Sequence, residues 1–168
     1  MALVQSTLSS QLTSNMVPVE SEAEGIQNFV NSWEAYFTGA SVSGVPIQPA
    51  ALAAAKAAMQ GSMTGVGNED QAAAIITSAL GQFWSTLQGL AATAWVVPPN
   101  TVASLTPPPT LSSLQTLLQQ VFDNNVQSEL EASDCCNAIA TVLHANAGIG
   151  AIALVTPPSG PPVPTPIL

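Results

Sequence analysis

A chain of 168 residues is long enough to bury one ordinary core and short for two domains, so it needs neither metal nor disulfides to fold. Only 7% of it is charged, with ten acids against the single cation Lys56 and a net charge of -9. That balance excludes direct binding to nucleic-acid phosphates and any polybasic membrane patch, since both need several Lys or Arg.

Taken in chain order, residues 2–16 place Leu3, Leu8, Leu12 and Met16 on a thin apolar stripe of an uncharged helix, which Val17-Pro18 ends. The first fourteen residues carry neither a basic region nor a long apolar one, so no signal peptide is expected. The next helix spans 20–38. Ser21 caps it, Glu22 and Glu24 sit in its first turn, and Ile26, Phe29, Val30, Trp33 and Phe37 form its core face. Gly39 closes it, and the segment GASVSGVPIQP reads as a loop.

Pro49 opens an Ala-dense helix over 49–60, whose small side chains allow close approach of a neighbour. Asn68 caps a long central helix over 69–94, lined by Ile76, Leu80, Phe83, Trp84, Leu87 and Leu90. Five prolines keep 95–110 out of helix and out of a central strand, so it crosses the bundle as an extended connection. Thr110 caps a helix carrying Leu111, Leu114, Leu117, Leu118, Val121 and Phe122, which Asp123-Asn124-Asn125 breaks or bends. A last helix runs over about 128–147 and stops at Gly148. The expected fold is mainly α: a bundle of five to six helices over 1–148, with the extended Pro-rich connection at 95–110 and an extended C-terminal arm over 149–168.

Within the arm, 149–155 is apolar enough to pair as a strand. Residues 156–168 hold six prolines and no charge, and would reach about 40 Å as polyproline. Free tails are normally polar, so this one is expected to dock, and a neighbouring subunit is the favoured place. The expected interface residues are Pro157, Pro158, Pro161, Pro162, Val163, Pro164, Pro166, Ile167 and Leu168. A folded monomer of this mass exposes roughly 7,700 Å². Eleven charged side chains cover little of that, as at surfaces buried between subunits. The blander reading is a neutral, Ala-rich fold.

No residue set carries catalysis, so no enzyme, cofactor or metal is expected. His144 is the sole histidine and has no companion motif. Asp123, Asn125, Gln127, Glu129, Glu131 and Asp134 follow a calcium-loop frame only in part, with Ser128 where Gly is needed. Glu20, Glu22 and Glu24 read as first-turn acids rather than a catalytic pair. Trp33, Trp84 and Trp95 read as core or interface anchors. Cys135 and Cys136 point about 100° apart on a helix and cannot bridge each other there.

The segments AATAWVVPPNTVASLTPPP, GIGAIALVTPPSGPPVPTPIL and SWEAYF, set in an Ala-rich body nearly free of Lys and Arg, resemble the small virion structural proteins of tailed bacteriophages. The resemblance, closest to neck and tail proteins, covers most of the chain as style rather than signature. It implies a non-enzymatic subunit of the neck, head–tail connection or tail, acting as a homo-oligomer with other virion structural proteins and assembled in the host cytoplasm. It implies no sequence-specific nucleic-acid binding and no membrane. Acidic residues would face a channel and repel DNA phosphates. Two alternatives stay open: a small membrane protein of holin type, resting on residues 72–97, and a secreted acidic helical-hairpin protein. The latter would resemble the mycobacterial PE/PPE proteins, whose Pro-Glu or Pro-Pro-Glu start and Trp-x-Gly turn are missing from this sequence.

Overall fold

The computed structural model describes residues 3–16, 20–65, 69–96, 98–109, 111–128, 131–148 and 151–167. The caps expected at Asn68 and Thr110, the stop at Val17-Pro18, and Leu168 lie outside them. Among the described residues the chain forms seven helices and five short strands: α1 Gln5–Met16, α2 Glu22–Phe37, β1 Ser41–Val42, β2 Val45–Pro46, α3 Pro49–Gly61, α4 Glu69–Gly89, α5 Ala91–Ala94, β3 Thr101–Thr106, α6 Leu111–Ser128, α7 Ala132–Gly148, β4 Ile152–Thr156 and β5 Val163–Pro166. The fold is mainly α, with a small antiparallel sheet.

Local signals set most helix ends. The Ser21 side chain accepts from the Glu24 N–H, and Pro49 opens α3. The long central helix is interrupted at Leu90, after Gly89, and one further turn, α5, places Trp95 in the core. The expected break at Asp123-Asn124-Asn125 does not occur. α6 continues to Ser128, because a face with Leu114 and Leu118 buried and Phe122 against the core outweighs the weak helix preference of Asp and Asn.

Helices α1, α2, α3, α4, α6 and α7 alternate in direction. α1 packs on α2 and α7, α3 on α4, and α6 on α4 and α7. Every β element therefore falls at one end of the bundle. There Ser43 (φ 51°) and Gly44 (φ 77°) both take left-handed backbone, and join β1 to β2 as a primed two-residue turn. The segment GASVSGVPIQP is thus a hairpin rather than a plain loop.

The extended connection supplies β3, an edge strand whose prolines lie outside it. A bulge between Val102 and Ser104 lets Val102 and Leu105, three residues apart, both face the core. β4 pairs antiparallel with β3 on one side and with β5 on the other.

The tail docks on its own chain, against the expectation of a reach to a neighbour. Pairing with β4 satisfies its backbone, Val42 bridges Ile167, and Ile167 is only 2% exposed. The accessible surface of 8008 Å² stays close to that of a compact monomer of this mass, roughly 7,700 Å².

Ile167→Ala removes a buried branched side chain that closes the sheet on the bundle. It should cost about 2–4 kcal/mol in urea unfolding of the isolated chain. Unchanged stability would place Ile167 outside the fold's own core.

Candidate functional site

The residues expected to form an interface lie at the sheet end. The Ile167 N–H donates to the Ala151 carbonyl at 3.0 Å. Backbone groups alternate in direction along a strand, so Thr165 and Val163 also face β4, and Pro164 and Pro166 face outward. Proline has no N–H, so the outer edge of β5 offers no donor at those two positions and resists strand addition. Pro158, Pro161, Pro162, Val163, Pro164 and Pro166 are exposed, Pro157 is half-buried, and Ile167 is buried.

The opposite end holds a feature that the sequence reading missed. A cavity of about 540 Å³ lies where α1, α3 and α6 end and α2, α4 and α7 begin. Its walls include Met16, Ile26, Phe29, Ile75, Phe122 and Ile139. The polar groups among its lining residues are Glu20, Ser21, Glu22 and the Cys136 thiol. Most of the apolar lining residues fall on apolar helix stripes. Nothing in the periodicity tells a stripe that closes on its neighbours from stripes that leave room between them.

Charge is segregated between the two ends. Three acids fall in 20–24, two at 69–70 and three between 123 and 134 among the described residues, making eight of the ten acids at or beside the helix ends around the cavity. At the sheet end, residues 90–109 and 151–167 contain no Asp, Glu, Lys or Arg. Lys56 lies mid-bundle, 2.6 Å from Glu34.

The first-turn acids have local work. The Glu24 carboxylate accepts from the Glu20 N–H, and the Glu22 carboxylate accepts from the Gly65 N–H. The calcium frame does not form a loop, since 123–128 is helical. No group of three or more His, Cys, Asp or Glu among the described residues could hold a metal ion. No helix there is long and apolar enough to cross a membrane.

His144 is half-buried, and its Nδ1 lies 2.8 Å from the Tyr36 hydroxyl, tying α7 to α2. Burial holds the Tyr36 phenol well above its ordinary value of 10.0. Which of the two groups donates is set by the imidazole tautomer. Burial also pushes both thiols up, and Cys135 adds a further push on Cys136.

Comparison with protein-family models, curated proteins and solved structures returns no match.

Tyr36 is the only tyrosine, so alkaline absorbance reads it directly. No phenolate band should appear near pH 10 while the chain is folded. Above pH 10 the unfolded chain loses that proton and the folded chain keeps it. Stability should therefore fall as pH rises past 10, and a normal phenol titration in the folded protein would contradict the burial. Both thiols should alkylate more slowly than a free cysteine at neutral pH, and accelerate as pH passes the usual thiol range.

Proposed function

We propose that the chain is a non-enzymatic structural subunit of a tailed-phage virion, a neck, head–tail connection or tail component that works by oligomeric assembly. The observation that carries this reading is the uncharged sheet end. The exposed residues of β3, β4 and β5 are Thr, Ala, Ser, Ile, Val and Pro. Ile152 and Val163 are 38% and 52% exposed there. A freely diffusing domain normally spreads charge over all its faces, whereas surfaces covered by other subunits are depleted of it.

The prolines of β5 fit the same role. They disfavour edge-to-edge strand pairing, so contacts at this end would be made by side chains in a defined geometry. The acidic end cannot pair with itself across a two-fold axis, because like charges would meet. Self-assembly would therefore use the sheet end or the flanks. An acidic end left uncovered suits a channel through which DNA passes without sticking.

Light scattering on the full chain tests this reading. A defined oligomer is expected, together with its loss in the double variant Ile152→Lys/Val163→Lys at unchanged circular dichroism. Both side chains are exposed, so the added charge should spare the fold. A monomer at 100 µM for the unaltered chain would overturn self-assembly.

A further inference from the structure

The cavity at the acidic end has the features of a ligand site. Its volume of about 540 Å³ lies within the range of small-molecule pockets, roughly 300–1,000 Å³. Five helices, α1, α2, α4, α6 and α7, contribute to its walls together with Met63 from the segment after α3, so a single chain supplies the whole lining. We propose that it binds a single-chain cationic amphiphile, an alkyl chain bearing an ammonium head group, with the chain in the cavity and the head at its acidic mouth.

The lining decides the body of the ligand. Ile, Leu, Met, Phe and Ala side chains make up most of the walls, and Cys136 is the one polar side chain in them away from the mouth. A thiol is a weak hydrogen-bonding group, and burial keeps this one protonated at neutral pH. Any amide or hydroxyl carried inward would lose its water and meet few partners, which opposes binding. A hydrocarbon chain needs no partner, and every methylene it buries favours binding.

The mouth decides the head group. Glu20, Ser21 and Glu22 stand there, at the start of α2. The surrounding helix ends carry most of the chain's acids. The helix dipoles do not offset this charge, since three N-termini and three C-termini meet at this end. A carboxylate or sulfate head would be repelled, and an ammonium would be attracted.

Calorimetric titration of the full chain with dodecyltrimethylammonium, below its micellar concentration, tests the site. Dodecyl sulfate and dodecyl maltoside serve as the anionic and neutral comparisons. One saturable site per chain is expected, at least tenfold tighter for the cation than for the sulfate. Ala72→Phe should abolish it by filling the cavity. Ile75→Trp, from the same wall, is the second filling variant should the first misfold.

In Glu20→Gln/Glu22→Gln, binding of the cation should weaken towards that of the maltoside. Glutamine keeps the oxygen that accepts from the Gly65 N–H, so the local fold should survive. Equal affinity for cation and sulfate would overturn the proposal. So would binding untouched by either filling variant, and so would unfolding of the chain in place of one-to-one saturation.

Discussion

The bundle depends on a stack of aromatic rings between α2 and α4. Phe37 meets Phe83 edge-on at 4.8 Å and Trp84 at 5.3 Å, and Trp33 meets Phe83 at 5.8 Å. All four side chains are buried. The indole N–H groups of Trp33, Trp84 and Trp95 are buried without a hydrogen-bond partner, which costs about 1–3 kcal/mol each. Burying 150–250 Å² of tryptophan contributes about 4–6 kcal/mol, so volume wins over the lost bond. The rings act as spacers: helices separated by tryptophan and phenylalanine cannot approach as closely as the Ala-rich face of α3 approaches α4.

Alternating helix direction turns this core into a molecule with two unlike ends. Odd and even connections are sorted to opposite ends. The Gly/Pro-rich ones become the hairpin and the three-stranded sheet, while the acids that begin or follow helices collect around the cavity. An anionic first turn is locally favourable at each N-terminus. Its repetition along a sequence whose single basic residue, Lys56, pairs with Glu34 gives an end rich in acids. The uncharged and acidic ends differ in chemistry, so the proposed assembly and the proposed ligand would use separate surfaces.

Much of the fold was legible in the sequence because the signals are local. The Ser21 cap, the Pro49 start and the aromatic stripe of α2 each rest on residues within a few positions of one another. The errors arose where a distant partner decided. Asp123-Asn124-Asn125 carries a break signal that packing of α6 overrides. The segment after Gly39 contains a hairpin turn whose first position is Ser43, a residue type that seldom takes left-handed backbone. The tail was legible as apolar and docking, but its acceptor strand, β4, is itself ordered by β3 about fifty residues earlier.

The sequence by itself determined the helical class, the helix faces and the extreme charge balance, since periodicity and composition need no knowledge of contacts. Only the tertiary structure decided that the proline-rich tail closes on its own chain. It also decided that the prolines of β5 line an outer edge and that the apolar stripes of five helices leave a cavity under an acidic mouth. Strand register rests on β3 meeting β4 about fifty residues on, and the space between helices on packing such as α1 against α7, and local preference carries no record of such distant partners.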